Sequence, residues 1–476
     1  MYRKGNKNFK RKNKKQIINN QHMRLRIPFL LFIILQVLIV EAQKSEVLSL
    51  TLQQAVEIAK KNNYTIENAR LDQKISEKKA DEILASGLPQ INASAAFNDY
   101  LDIPVMLAPK SFFDRTAAPG TYTSIKFGVP YTATGSITAS QLIFDGTFFL
   151  GLKAAKEYVN LARLGVKRTE TEISAGVAKM YYAALLTEAN ITMLNNTLVT
   201  LEKTLKDNRA YYQNGLSEKI DLNRLELSYS NTQIQRDKII DQYTISMMVL
   251  KMQLGLSVKD SIVLTDNLEK LFTAEAASVV DTKIDYGKRD DYKFVEQEIH
   301  LQNYDIKRYK FGYAPTLNAS YTTQRVAYGP EFSQLGTDFG SLGQVWFPTT
   351  IFALNLNIPI FDGFRKSAQI QQSKLTMMKY QNDKKNLESN IENDVEQSRL
   401  KYLRAKEQMD IQKKNMTLAQ DIYDRANIKY KNGVGSTLEL TTAENDLKTS
   451  QTNYLGSIYD MLVAQVDLKK ALGILN

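Results

Sequence analysis

An internal duplication constrains the fold of this chain more than any other feature of its sequence. The stretches Tyr212–Ser217 (YQNGLS) and Tyr430–Ser436 (YKNGVGS) are similar, and their glycines Gly215 and Gly433 lie 218 positions apart. The same offset joins further pairs of positions: Leu222 with Leu440, Glu226 with Glu444, and Leu254–Gly255 with Leu472–Gly473. A constant offset over about forty residues indicates two copies of one structural unit.

Each copy is predicted to contain a long helix, a tight turn and a returning helix. An Asn-Gly pair ends a helix and reverses the chain, because glycine adopts positive φ without a steric penalty. Proline-free helical patterns lead into the two turns over residues 146–213 and 364–431, and the first returning helix is predicted over 217–254. Between Ile191 and Leu205 the apolar residues alternate at spacings of three and four, which is typical of coiled coils.

The apolar pattern changes from a helical period to a period of two in four places. Apolar and polar residues alternate over 89–97, 132–140, 315–321 and 352–360. This alternation predicts four strands, each with one apolar face and one polar face.

Three segments surround this repeat pattern. A helix is predicted over 51–86, with Thr51 as its N-cap. The first two strands are separated by a predicted loop of about thirty residues that contains four prolines. Residues 256–287 have no clear period and are expected to form a small irregular layer.

Residues 1–42 are predicted to be a secretory leader. They hold ten Lys or Arg residues and one acidic residue, and therefore +9 of the formal net charge of +11. Arg24 and Arg26 precede the apolar run Ile27–Val40, which is short for a membrane span and typical of a signal peptide. Cleavage is expected after Ala42, with an uncleaved anchor as the alternative and Met23 as an alternative start. The remaining +2 forms no basic stripe, so no nucleic-acid partner is predicted.

Residue counts exclude several kinds of chemistry. The chain has no cysteine and two histidines, so it lacks the usual ligands and nucleophiles of metal and thiol sites. Glu170, Glu172 and Glu188 are interpreted as a solvated helix face and not as a paired-carboxylate catalytic centre. No phosphate-binding glycine loop occurs. We therefore expect neither an enzyme nor a cofactor or metal site.

The predicted strands have the length of membrane-crossing β-strands, which need about ten residues. Four strands cannot close a barrel, and an open edge in lipid leaves backbone groups without partners. Closure therefore requires several chains. Aromatic residues near the strand ends are suited to membrane interfaces: Tyr100, Tyr131, Phe144, Trp346, Phe347 and Phe361.

Together, these features resemble the TolC-type outer-membrane efflux proteins, over residues 45–474. The most specific parts are the paired turns Asn214-Gly215-Leu216 and Asn432-Gly433-Val434-Gly435-Ser436, and the two Phe-Asp-Gly junctions Phe144–Gly146 and Phe361–Gly363. The resemblance implies a mainly α fold with a small membrane β part. Four strands and long coiled-coil helices per chain would assemble as a trimeric 12-stranded β-barrel continued by an α-helical barrel.

The resemblance also implies a function, a location and partners. The homotrimer would be a passive exit duct in the outer membrane of a Gram-negative bacterium, in contact with its lipid and with its helices in the periplasm. A periplasmic adaptor and an inner-membrane pump would engage and open its tip. The implied adaptor contacts are Gly215, Leu216, Ser217, Gly433, Val434, Gly435 and Ser436. The expected domains are the leader (1–42), the first repeat (43–270) and the second repeat (271–476).

Asp421 and Asp424 are candidates for a gate. They lie three residues apart on one helix face, shortly before Gly433. In a threefold pore they would form stacked carboxylate rings that attract cations. The alternative is an exposed pair that faces Arg425 and Lys429 and has no role in a pore.

Two other functions stay open at this point. The duct could carry a secreted protein or peptide in place of small toxic molecules. Alternatively, the chain could be a periplasmic coiled coil that spaces the envelope layers, although a spacer has no use for strands with a lipid-facing side.

Overall fold

The computed structural model describes residues 48–268, 271, 280–335 and 346–475. The predicted leader over 1–42 lies outside these residues and stays a prediction. The first copy of the repeat contains these described elements: β1 (Leu48–Leu50), α1 (Leu52–Asn62), α2 (Tyr64–Ser86), β2 (Gln90–Asp99), β3 (Val105–Pro109), β4 (Tyr122–Lys126), β5 (Tyr131–Phe144), α3 (Gly146–Gln213), α4 (Lys219–Gln253) and β6 (Ile262–Leu264).

The second copy repeats the main elements of the first. Its described elements are α5 (Asp290–Phe311), β7 (Thr316–Gly329), β8 (Trp346–Asn357), α6 (Arg365–Lys431) and α7 (Thr437–Ala471). The helices predicted over 146–213 and 364–431 are confirmed as α3 and α6 to within one residue. Long proline-free helices with coiled-coil spacing are therefore readable from sequence.

The helix predicted over 51–86 is wrong in one respect, because the chain divides it into α1 and α2 at Asn63. The Asn63 side chain accepts a hydrogen bond from the backbone N–H of Thr65 at 2.8 Å and caps α2. The predicted N-cap Thr51 is confirmed. Its Oγ1 accepts a hydrogen bond from the N–H of Gln54 at 3.3 Å, and Gln54 Oε1 accepts one from the N–H of Thr51 at 2.9 Å. This reciprocal pair is a capping box.

Aspartates of the two Phe-Asp-Gly junctions cap the long helices. Asp145 Oδ1 accepts hydrogen bonds from the backbone N–H and the hydroxyl of Thr147, both at 2.7 Å. Asp362 Oδ2 accepts one from the N–H of Lys366 at 3.1 Å. A carboxylate at this position stabilises the free N–H groups and the positive end of the helix dipole. The motif therefore marks where the chain enters each long helix.

Four glycines with positive φ end the helices of the two hairpins. Their φ angles repeat between the copies: +74° at Gly215 and +76° at Gly433, and +68° at both Gly255 and Gly473. The N–H of Gly215 donates to the carbonyl of Tyr212 at 3.0 Å, and the N–H of Leu216 donates to that of Tyr211 at 2.8 Å. The other three turns contain the same pair of bonds. This is the Schellman motif, which satisfies the last carbonyls of a helix.

The four predicted strands form one antiparallel sheet in the order β2-β5-β7-β8. Its register brings the predicted apolar positions together on one face: Ile91 pairs with Ala139, Ala139 with Tyr321, and Tyr321 with Phe352. The opposite face is polar, with hydroxyl pairs Ser94–Ser136 at 2.8 Å and Thr138–Thr322 at 3.1 Å. The predicted division into an apolar and a polar face is confirmed.

Four short strands were not predicted. The region assigned as a loop between the first two long strands contains a hairpin of β3 and β4. In the segment expected to be irregular, β6 pairs in parallel with β1. This pairing joins residues more than 200 positions apart, and three-residue strands are too short to produce an alternating pattern.

The described residues form two compact units: those within 1–62, 176–274 and 408–462 form the first, and those within 63–175, 275–407 and 463–476 form the second. Each unit draws on both copies of the duplication. The predicted division at residue 270 follows the duplication instead and stays a prediction.

Each unit has its own apolar core. In the first unit the predicted coiled-coil positions Leu194, Leu198, Leu201 and Leu205 are buried, and Leu205 packs with Leu222 and Leu225 of α4. In the second unit Ala327, Leu335 and Trp346 form a buried cluster beside the sheet, with Tyr131 and Ala133 packed against it.

Among the described residues, no helix is both long enough and apolar enough to cross a bilayer.

We expect Gly255→Ala to destabilise the protein more than Gly215→Ala. A Cβ at 255 would lie 2.2 Å from the backbone oxygen of Asn62, whereas a Cβ at 215 meets no atom within 4 Å. Both substitutions incur the penalty of a positive φ, about 1 kcal/mol, but only the first also displaces the end of α1. Thermal unfolding of both variants in one detergent measures the difference. Equal shifts would contradict the close approach of the two backbones.

Candidate functional site

The seven residues predicted at the tip lie in the two turns between the hairpin helices. Gly215, Leu216 and Ser217 connect α3 to α4, and the other four, Gly433, Val434, Gly435 and Ser436, connect α6 to α7. Leu216 is 76% exposed and Val434 is 79% exposed. Each turn therefore presents an apolar side chain that the chain itself does not cover.

Backbone packing explains the extra glycine of the second turn. A Cβ at Gly435 would lie 2.9 Å from both the Cβ of Lys429 and the backbone nitrogen of Tyr430. Ser436 then caps α7, because its Oγ accepts a hydrogen bond from the N–H of Glu439 at 3.1 Å. Lys429 forms an ion pair with Glu439 at 2.9 Å, which ties the two helices of this hairpin together.

Asn208 joins the two hairpins and was not identified from the sequence. It is 1% exposed, and its Nδ2 donates to Ser217 Oγ at 3.1 Å and to the hydroxyl of Tyr430 at 2.8 Å. Its counterpart in the second copy is Ala426. This asymmetry between otherwise similar copies is the signal that could have revealed it.

Asp421 and Asp424 are exposed on α6, on the same face of the helix. Asp421 Oδ2 pairs with Arg425 Nε at 2.9 Å, and Asp424 Oδ1 accepts a hydrogen bond from Gln420 Nε2 at 3.1 Å. The hydrogen bond and the charge of Asp421 raise the pKa of Arg425 above its usual value. Of the two basic residues considered in the alternative interpretation, only Arg425 binds the pair, since Lys429 is engaged by Glu439.

The glutamates considered for catalysis do not form a paired-carboxylate site in the described structure. Glu170 forms an ion pair with Arg70, Glu172 forms one with Lys470, and Glu188 is exposed. In the part of the chain that the structure describes, no group of three or more acidic or histidine side chains could hold a metal ion.

Glu444 of α7 is the most perturbed carboxyl group near the tip and was also not singled out from the sequence. Only 8% of the residue is exposed. Burial raises the pKa of Glu444 to about 7, against a smaller opposing effect of Lys448. Its counterpart Glu226 is instead paired with Arg209 at 2.9 Å. The position of that arginine holds Asn427 in the second copy, and this difference is visible in the sequence.

Part of the chain matches a known protein family. Residues 295–474, which contain most of the second copy of the repeat, match the family described as outer membrane efflux protein. The second copy is therefore similar to the members of this family. Of the features that predicted this resemblance, the turn at Gly433 and the junction Phe361–Gly363 lie within the matched residues.

Curated relatives extend the likeness to the first copy. This chain is 22% identical over 351 residues to the probable efflux pump outer membrane protein TtgC of Pseudomonas putida. The toluene efflux pump outer membrane protein TtgC of a second Pseudomonas putida strain matches over the same length at the same identity. Each alignment covers 72% of this chain and 69% of the relative.

Solved structures share the fold over most of their length. The open state of the MtrE outer membrane channel of Neisseria gonorrhoeae superimposes with a TM-score of 0.65 at 18% identity, covering 89% of this chain and 88% of that one. The outer membrane protein VceC of Vibrio cholerae superimposes with a TM-score of 0.62 at 15% identity, covering 89% and 96%. This chain therefore has the fold of these outer-membrane proteins.

Proposed function

We propose that three copies of this chain form a passive exit duct of an efflux system. The sheet lies in the outer membrane and the helical turns lie in the periplasm, where a periplasmic adaptor and an inner-membrane pump engage them. The observation that carries this proposal is the four-stranded sheet, whose two edges are unpaired among the described residues. The homotrimer and the pump partners are supported by the family and by the channels that share the fold.

The edges of the sheet are complementary in direction. The strands alternate through β2, β5, β7 and β8, so the two edge strands run in opposite directions. All ten residues of β2 are exposed, as are ten of the twelve residues of β8. The β2 edge of one copy can therefore pair antiparallel with the β8 edge of the next, and a ring of copies leaves no edge open.

The two faces of the sheet suit a lipid side and an aqueous side. The face with Ile91, Phe352 and Leu354 is apolar, and the face with the Ser94–Ser136 and Thr138–Thr322 pairs is polar. Aromatic residues cluster at both ends of the strands, as at membrane interfaces: Phe97, Tyr131 and Phe332 at one end, and Phe144, Phe148 and Phe149 at the other.

The cargo class follows from the relatives and is part of the proposal. The Pseudomonas putida relatives are named for pumps that export toluene or antibiotics. We infer small toxic molecules as the cargo, with diffusion through the lumen as the mechanism.

Cysteine crosslinking between edge strands tests the assembly. The chain has no cysteine, so introduced pairs give unambiguous disulfides. Ser94→Cys in β2 is combined in turn with Thr349→Cys, Ile351→Cys or Ala353→Cys in β8, all on the same face of the sheet. At least one pair is expected to yield a covalent trimer on non-reducing gels.

The matched control moves the first cysteine to the interior strand β5 as Ser136→Cys, which cannot reach a neighbouring copy. A covalent ladder that continues past three copies, or no crosslink with any pair, would rule out the closed trimer.

The adaptor is proposed to dock on the two exposed turn residues. Leu216 and Val434 present apolar surface beside Gly215 and Gly433, where an added Cβ would meet no atom within 4 Å. An apolar centre surrounded by polar residues is typical of protein interfaces.

Leu216→Asp combined with Val434→Asp is expected to abolish drug resistance conferred by the pump while trimer levels stay normal, because buried carboxylates would destabilise the docked complex. Susceptibility of cells and the amount of trimer are measured together. Leu101→Asp, at a residue that is 92% exposed in the loop after β2, is the control and should retain resistance. Normal resistance in the double variant would refute the docking site.

Asp421 and Asp424 are proposed to form the cation-attracting gate of the trimer. Both carboxylates are exposed, and three copies around one axis would place six of them near the inner mouth. Arg425 offsets one charge of each copy by its pair with Asp421.

Asp421→Asn with Asp424→Asn should reduce cation selectivity in single-channel recordings at low salt, and Arg425→Gln should increase it by freeing Asp421. Both differences should shrink at 1 M salt, where the Debye length falls to about 3 Å from about 10 Å at 0.1 M. If all three proteins have the same selectivity at low salt, these side chains face away from the lumen.

A further inference from the structure

The first compact unit contains a cavity of about 660 Å³ that has no part in the proposed duct mechanism. Its wall is formed by α3, α6, α7 and the segment that follows β6. This volume lies within the range of small-molecule sites, about 300–1,000 Å³. The apolar part of the wall includes Met193, Met416, Tyr423, Leu447 and Tyr454.

Glu444 lies in this wall as a buried carboxyl group without a partner. It is 8% exposed, and no hydrogen bond or ion pair to it occurs within the described residues. Burial of a carboxylate is strongly unfavourable unless a cation or hydrogen-bond donors compensate it. An unpaired acid on a cavity wall therefore lacks the cation or hydrogen-bond donors that would compensate its charge.

In the first copy of the repeat, the chain itself supplies a cation for the equivalent acid. Glu226, the counterpart of Glu444, pairs with Arg209 at 2.9 Å and lies at a more exposed position. In the second copy Asn427 replaces that arginine. The second copy thus has the acid without the internal cation.

The other described charged groups on the cavity wall form no ion pair with Glu444. The carboxylate of Asp266 is engaged by the N–H of Leu52 and the hydroxyl of Tyr181. Glu188 of α3 adds a second free negative charge. Lys448 lies one turn after Glu444 on α7, and it forms no ion pair with Glu444 in the described structure. The wall thus carries three carboxyl groups against one ammonium group.

We propose that this cavity binds an amphipathic organic cation of drug size, with its positive centre against Glu444. Its apolar body contacts the two methionines, and the rings of Tyr423 and Tyr454 add aromatic surface of the kind that attracts cations. The site belongs to a single chain, so it does not depend on the proposed duct, trimer or adaptor.

The proposed interaction has a defined dependence on pH. Because the pKa of Glu444 is raised to about 7, the carboxyl group is mostly ionised at pH 8 and mostly protonated at pH 6. The cation binds the ionised form, so affinity rises with pH. For a permanently charged ligand the expected change between pH 6 and 8 is about tenfold.

Ethidium, a permanently charged aromatic cation, tests the site by fluorescence titration of the full chain in detergent. Saturable binding of one ethidium per chain is expected at pH 8, weakened at least tenfold by Glu444→Gln and about tenfold by lowering the pH to 6 in the wild type. Glu226→Gln is the matched control and should bind as the wild type does. Asp421→Asn with Asp424→Asn should also bind normally, which separates this site from the proposed gate.

A second variant and a second ligand make the result decisive. Asn427→Arg restores the arginine of the first copy and should weaken ethidium binding through competition for Glu444. Phenanthridine, neutral at pH 8, should bind weakly and equally to the wild type and Glu444→Gln. Equal ethidium affinity of the wild type and Glu444→Gln, or a flat wild-type profile from pH 6 to 8, would overturn the proposal. Because binding is scored per chain, a monomeric preparation would refute the duct and still test this site.

Discussion

Satisfaction of backbone hydrogen bonds at chain reversals is the constraint on which this structure depends. A helix leaves its last carbonyls without partners, and each hairpin end resolves this with a positive-φ glycine and two reversed hydrogen bonds. Gly215 and Gly433 have open space around them, so glycine is needed there only for the positive φ of the turn. At Gly255 and Gly473 the absence of a side chain also allows a neighbouring backbone segment to pack closely, at Asn62 and at Lys288 respectively. In each copy, glycine therefore provides both a positive φ at a chain reversal and room for a close backbone contact.

The same constraint explains why the sheet needs further copies of the chain. The central strands β5 and β7 have partners on both sides, whereas in the described part of the chain β2 and β8 each have one free edge. In water such an edge is tolerated, but in hydrocarbon each free N–H and C=O is costly. An even number of alternating strands leaves edges of opposite direction, so identical copies close a ring without any change of strand direction. Closure is thus already implied by the topology of one chain.

The sequence predicted the elements that depend on local patterns and failed where distant residues decide. The bounds of α3 and α6 followed from uninterrupted helical spacing, and the faces of the sheet followed from alternation. The break at Asn63 depends on one side chain that competes for a backbone N–H. The pairing of β1 with β6 and the contact of Asn208 with Tyr430 join residues about two hundred positions apart. No local pattern records such contacts, although comparison of the two copies exposes some of them.

Duplication preserves geometry more strictly than chemistry, and the differences between the copies are where function can arise. The φ angles of the four turn glycines agree between the copies to within a few degrees, because helix ends permit few solutions. Side chains on the helices are freer. When the two copies are aligned, Asn208 of the first copy corresponds to Ala426 of the second, and Arg209 corresponds to Asn427. These adjacent exchanges give the first copy a buried amide and an ion pair, and leave the second with a buried, unpaired acid. The fold pairs this acid in the first copy and leaves it buried without an ion pair among the described residues in the second, so the charge of Glu444 is available to the external cation proposed above.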